Sequence, residues 1–337
     1  MLIFWILVFI LSIALLVKLA DWLVESAEKI GLALKISPFI IGVTIVAFGT
    51  SFPELISSVV AVFKGVTEIV AANVIGSNIA NILLVVGLSA IAARTLIVKR
   101  SLIELDAPLL ACSSVLFLFI IWDGKIIFNE GILLILMFLI YLLYTIFERG
   151  EEVITPGQTE ILPEGVGVKV LPSRVERRRE KIKKELLPKL NFKVFLFLIL
   201  GIIGLAVGAN YTIESMIKIS EILKISSSLI AITGLAIGTS LPELIVSVSS
   251  ALKKKYEVAL GNVFGSNVFN VLIVAGIPAL IKPLIVDDLT LKVGLPFLMF
   301  ATLLFVISAI SRRIHIWEGA MYLLIYALFV GKLFNLF

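Results

Sequence analysis

Residues 36 to 91 recur as residues 225 to 280 without a gap, at a constant offset of 189, with 26 identities in 56 positions. A match of that length means two copies of one structural unit, and it constrains the fold more than any single motif does. The 337 residues are 60% hydrophobic and only 16% charged, too apolar for a soluble domain and suited to a chain dissolved in lipid. Each copy must then satisfy its backbone hydrogen bonds inside hydrocarbon, which points to bundled helices.

Apolar stretches of roughly 20 residues or more, enough to cross about 30 Å of hydrocarbon, fall at residues 2–31, 36–63, 68–93, 102–121, 127–147, 192–222, 225–252, 257–281, 289–310 and 315–334. The first lacks the basic start and small-residue cleavage site of a signal peptide, so it reads as a retained span. The only long polar stretch, with Pro156, Pro163, Pro172 and the run RVERRREKIKK, separates two sets of five. The expected fold class is an all-α membrane protein: ten transmembrane helices as two inverted-topology repeats of five. Residues 1–147 form the first repeat, 148–191 a linker and 192–337 the second. An odd number of spans per copy forces the second copy to enter from the opposite face, an arrangement typical of secondary transporters. Lysine and arginine collect in the loops at 94–100, 253–255 and 312–313 and in the linker. The positive-inside rule therefore puts the linker in the cytoplasm and both termini outside a cell membrane.

Inside the two copies stand GTSFPE, Gly49 to Glu54, and GTSLPE, Gly238 to Glu243. Glycine tolerates unusual backbone angles and proline lacks an amide hydrogen, so each helix is expected to open there and free carbonyl oxygens. Bare carbonyls and buried carboxylates are costly in hydrocarbon unless they line a cavity or meet a cation. The following span supplies a facing wall, NVIGSNIAN from Asn73 to Asn81 and NVFGSNVFN from Asn262 to Asn270. There Asn73, Ser77, Asn81 and Asn262, Ser266, Asn270 each recur at spacing four, along one helical face. The amides of Asn73, Asn78, Asn262 and Asn267 equally suit plain helix-to-helix hydrogen bonding. Carboxylates, hydroxyls and carbonyls together suit a hard cation. One cysteine, Cys112, and one histidine, His315, leave no internal disulfide, no cysteine-rich metal site and no histidine-based centre.

The paired GTSxPE and GSNxxN segments resemble the cation/calcium antiporter superfamily, and most closely its prokaryotic sodium/calcium exchangers. The resemblance implies a transporter, not an enzyme, with calcium and sodium as transported ions and no cofactor. It implies that Glu54 and Glu243 are shared by both ions and that the carbonyls of Thr50 and Thr239 complete calcium's shell. Ser51 and Ser77 would line one flanking sodium site, Ser240 and Ser266 its mirror, with the carbonyls of Ala47 and Ala236 contributing. Asn81 and Asn270 would border the centre. Two departures from relatives are Ala72, where many have glycine, and the pair Asn81 and Asn270, one of which is aspartate in several. Two carboxylates balance one calcium, whereas three sodium ions, the stoichiometry implied by the resemblance, leave one net positive charge, so exchange should be electrogenic.

Three other readings stay open from sequence: a calcium/proton exchanger of the same superfamily, a cation channel, and a sodium-coupled solute transporter. The stripes lack the added glutamate usual in proton-coupled relatives, and potassium-dependent relatives tend to carry aspartate at the position of Asn270. The chain is expected to work as a monomer among membrane lipids, with no nucleic-acid partner. Lys18 and Asp21 are expected to pair, Cys112 to face lipid or the packed interior, and His315 to sit at a membrane interface. Residues 175 to 190 fit either an amphipathic surface helix or a solvated linker. The linker is too short and too poor in acids for a calcium-sensing domain.

Overall fold

The computed structural model describes residues 2–34, 38–63, 65, 67–98, 106–150, 190–222, 240–334 and 336. Thr239, Ala236, Gly238 and the basic stretch of the linker lie outside them. The described chain is almost entirely helical. The helices of its first half are α1 Leu2–Ala33, α2 Pro38–Ile41, α3 Ala47–Phe63, α4 Glu68–Ile79, α5 Gly87–Ala93, α6 Ala107–Ile121 and α7 Phe128–Gly150. In the second half they are α8 Phe192–Ile222, α9 Leu241–Leu252, α10 Tyr256–Phe269, α11 Gly276–Ala279, α12 Leu295–Ile310 and α13 Ile316–Leu333. Among the described residues, seven helical stretches are long and apolar enough to cross a membrane, and the shorter apolar helices Ala107–Ile121, Phe192–Gly208 and Leu241–Leu252 fall on the remaining three expected spans. The outward surface carries large apolar side chains such as Phe119, Trp122, Trp317 and Leu324, as lipid contact requires. Cys112 is exposed on α6.

The two copies interlock in a crosswise pattern. Strands β1 Thr95–Ile97 and β2 Lys125–Ile126 come from the first half, β3 Leu284–Ile285 and β4 Arg313–His315 from the second. Strand β1 pairs with β4, Thr95 opposite His315, and β2 pairs with β3, Ile126 opposite Leu284. Moving Thr95 forward by 189 gives Leu284 and moving His315 back by 189 gives Ile126, so one register maps onto the other. The Val98 amide donates to the Arg312 carbonyl at 2.9 Å, and the Val286 amide donates to the Gly124 carbonyl at 2.8 Å. Gly124 and Arg312, one residue out of step at the 189 offset, each take a left-handed φ in the turn before the strand, 83° and 62°. A second twin contact is made by glycines. A methyl added to Gly319 would lie 2.7 Å from the Gly87 carbonyl oxygen, and one added to Gly131 would lie 2.9 Å from that of Gly276. Only hydrogen side chains let α13 cross α5 and α7 cross α11 this closely.

Helix α10 is the axis of the fold: every residue from Val258 to Phe269 is buried, whereas much of the N-terminal part of α1 is exposed. Gly261 and Gly265 face the turn Gly42–Val46, and a methyl on Gly265 would stand 2.2 Å from the Val43 carbonyl oxygen. Helices α1 and α8 form an antiparallel pair, with Gly201, Gly204 and Gly208 packed against Leu23, Leu19 and Leu16. This pair closes its own small apolar cluster with Ile41, Val46, Val246 and Val258, separate from the main core around α10. Asp21 pairs with Lys253 and accepts from Ser249 Oγ at 3.0 Å, so its partner is the end of α9, in place of the expected Lys18. Lys255 adds a second tie, 2.6 Å to Glu28.

The expected opening of the first helix at Gly49 and Pro53 is not found. Helix α3 runs unbroken through Pro53, and the irregular backbone lies upstream, in a π-helical turn at Gly42–Val46. A proline inside a helix removes one donor, so only the Gly49 carbonyl loses its partner, while flanking residues keep theirs. In the second copy α9 starts at Leu241 with Pro242 in its first turn, where a missing amide hydrogen costs least.

Candidate cation site

Glu54 on α3 and Glu243 in the first turn of α9 are 1% and 0% exposed. Ser51 Oγ donates to Glu243 Oε1 at 2.8 Å, which brings the two GTSxPE copies together across 192 residues of sequence. Thr50 Oγ1 lies 3.4 Å from Ser266 Oγ, and these hydroxyls and the Glu54 carboxylate are near enough to Glu243 to interact with it electrostatically. Two buried like charges oppose folding unless a cation shares them.

The amides line the same interior. Asn270 opens the π-helical segment Asn270–Val274, and Asn81 is the second residue of its counterpart Ala80–Val86. A π turn inserts an extra residue in the helical ladder and turns the side chains beyond it, a common device at functional sites. Both Asn81 side-chain atoms, both of Asn270, both Glu54 carboxylate oxygens, Glu243 Oε2 and Ser240 Oγ are buried without a hydrogen-bond partner among the described residues. Buried polar atoms are ordinarily satisfied, so carboxylates and amides left open side by side make this the interior's candidate for holding a polar guest. The donors are all oxygen or amide, and among the described residues no three His, Cys, Asp or Glu side chains cluster. That set suits hard cations, which prefer carboxylate, carbonyl and hydroxyl oxygen.

Of the residues singled out from sequence, Ala47, Thr50, Ser51, Glu54, Glu243 and Ser266 are brought together by direct contacts or charge. Ser77 is buried on α4, its hydroxyl 3.5 Å from Asn73 Oδ1 of the same helix. Thr239 and Ala236 fall outside the described residues. Because α3 is continuous, the Ala47 and Thr50 carbonyls offer a cation their second lone pair, not one freed by an open helix. The twin helices α4 and α10 touch where Asn78 Nδ2 donates to the Asn267 carbonyl at 3.0 Å. Sequence reasoning passed over the link from Ser247 through Asn262 to Thr50. The recurrence of Ser58 as Ser247 at the 189 offset was the available signal. Nothing in composition or spacing announced the π turns.

Comparison with known proteins is consistent across the chain. The family described as Sodium/calcium exchanger protein matches residues 4–147 and 193–334. The Sodium/calcium exchanger MaX1 of Methanosarcina acetivorans is 32% identical over 359 aligned positions, covering 97% of this chain and 98% of MaX1. The Putative antiporter CaxA of Alkalimonas amylolytica is 31% identical, with 97% of each chain covered. A solved structure of the sodium-calcium exchanger NCX_Mj, soaked with zero Na+ and Ca2+, superposes with a TM-score of 0.77 at 30% identity, over 99% of this chain and 100% of that one.

Proposed function

The chain belongs to the sodium/calcium exchanger protein family, and on that premise we propose that it is a secondary active antiporter exchanging sodium for calcium by alternating access. Glu54 and Glu243 neutralise calcium, with the Thr50 and Thr239 carbonyls in its shell. Ser51, Ser77 and the Ala47 carbonyl, and in mirror Ser240, Ser266 and the Ala236 carbonyl, take sodium on either flank. Asn81 and Asn270 border the middle. The observation that carries this reading is the Ser51 to Glu243 hydrogen bond, which joins the two motif copies around paired buried carboxylates.

Ten spans in two inverted repeats of five, residues 1–147 and 192–337 around a cytoplasmic linker at 148–191, agree with the crosswise ribbons. Each ribbon joins loops that the charge rule puts on one side, and so does the Lys255 to Glu28 pair. Three sodium ions per calcium would move one net charge. The separate packing of the α1 and α8 pair suits a unit that shifts across the core as the site opens to alternate faces.

Radioactive calcium uptake into proteoliposomes under a sodium, a potassium or a proton gradient tests the reading. Uptake driven by sodium alone, and altered by membrane potential, is expected. Proton-driven uptake without sodium would replace it with calcium/proton exchange.

A further inference from the structure

Asn262 lies fully buried on α10, one turn before Ser266, and three hydrogen bonds fix how its amide is turned. Ser247 Oγ has one hydrogen, which it donates to the Ala259 carbonyl at 3.3 Å. It therefore accepts from Asn262 Nδ2, at 2.9 Å. The second amide hydrogen points at the Glu243 carbonyl, 3.4 Å away. With the nitrogen so committed, Oδ1 faces Thr50 Oγ1 at 3.1 Å and can only accept from it.

The Thr50 hydroxyl also has a single hydrogen, and the Ala47 carbonyl competes for it at 3.2 Å. Ser266 Oγ, at 3.4 Å, is the most distant of its partners, and a cation held by Glu243 repels that hydrogen, so the contest is between these two nearer acceptors. If Ala47 wins, its outward lone pair is spent on a hydroxyl and is lost to a metal ion. If Asn262 wins, the lone pair is open. We propose that Asn262, aimed by Ser247, is a positioning residue that draws the Thr50 hydroxyl hydrogen away and so keeps the Ala47 carbonyl free to bind sodium. The proposal rests on the sodium/calcium exchange reading. The repeat carries the same pair as Ser58 and Asn73, so both halves hold the wiring in sequence.

The test compares sodium-driven calcium uptake with calcium/calcium exchange in the absence of sodium, for wild type and variants in proteoliposomes. Asn262→Leu removes the acceptor at similar volume, and the half-saturating sodium concentration should rise about three- to tenfold, the weight of one polar contact. Calcium/calcium exchange should keep its half-saturating calcium concentration within about twofold, a margin smaller than one such contact. Adding Thr50→Val to Asn262→Leu removes the competing hydroxyl and should bring the sodium requirement back toward wild type, which a packing role for Asn262 would not produce. Ser247→Ala, a smaller change that keeps the fold if Asn262→Leu does not, should shift sodium in the same direction. An unchanged sodium requirement in Asn262→Leu or in Ser247→Ala, or no recovery in the double variant, overturns the proposal. A wild type that exchanges calcium for calcium but shows no sodium-driven uptake overturns the exchange reading itself, a separate result.

Discussion

Ser51 Oγ, from the first copy of the repeated motif, donates at 2.8 Å to Glu243 Oε1 of the second. A hydroxyl given to a buried carboxylate is worth about 1.5–3 kcal/mol. The same oxygen is proposed to face sodium, so Ser51→Ala should weaken sodium more than calcium. We expect the half-saturating sodium concentration to rise about tenfold, the equivalent of roughly 1.4 kcal/mol, with calcium/calcium exchange less affected. Equal loss for both ions in flux assays would place Ser51 outside the sodium site.

Glu54 and Glu243 are the two carboxylates brought together in the described interior. Glu54→Gln and Glu243→Gln each leave a divalent ion facing one negative charge in a dry site, a deficit of about 3 kcal/mol or more. Calcium flux should fall roughly a hundredfold or further in either variant, with the protein still monodisperse in detergent. Near-normal flux in both would remove these residues from the site.

Much of this was legible in the chain. The 189 offset announced the twin construction, and it reappears in the swapped ribbons and in Gly87 and Gly276, each of which meets a glycine of the other half, Gly319 and Gly131, that stand 188 apart. The buried carboxylates were legible because a charged group in an apolar span needs a reason to be there. The opened helix at Pro53 was misread: a single proline costs one hydrogen bond, and a helix packed on both sides absorbs that without opening. The partner of Asp21 was misread too, because Lys253 is distant in sequence and only the packing of α1 against α9 brings it near. The π turns at Gly42–Val46, Ala80–Val86 and Asn270–Val274 depend on tertiary packing and leave no local signature.

Gly265 is the most tightly packed of the described glycines, where a methyl group would meet the Val43 carbonyl oxygen at 2.2 Å and the Ala47 Cβ at 2.7 Å. Neither neighbour is the free end of a flexible chain, so α10 must move away from the π turn to admit it. Gly265→Ala should cost about 1–3 kcal/mol of stability or more, read as a lower melting temperature in detergent. Because Ala47 carries a proposed ligand, sodium affinity should fall with it. Gly124→Val is a useful contrast: its φ of 83° makes a β-branched residue costly there, yet the turn is remote from the site. That variant should lose stability while keeping the sodium requirement of the wild type.

Asn270 and Asn81 are uncharged, although both line the proposed cation site without a hydrogen-bond partner among the described residues. With amides at both positions, the carboxylates placed in the site number two, and calcium cancels them. Asn270→Asp adds a third negative charge and with it a group that protons can occupy. At pH where that carboxyl is ionised, the site holding calcium keeps a net negative charge, which raises the cost of carrying it through the low-dielectric interior. Protonation restores the wild-type balance but turns an acceptor into a donor aimed at the cations. The variant should therefore respond to acid more steeply than the wild type, with protons competing against sodium and calcium at one more carboxyl as the medium becomes acidic. It should also gain current or uptake dependent on a second monovalent ion, since an added cation offsets the added charge. Uptake measured from neutral to acid pH, with sodium alone and with sodium plus potassium, checks both outcomes. A pH profile and ion requirement in Asn270→Asp identical to those of the wild type would show that residue 270 does not face the transported ions.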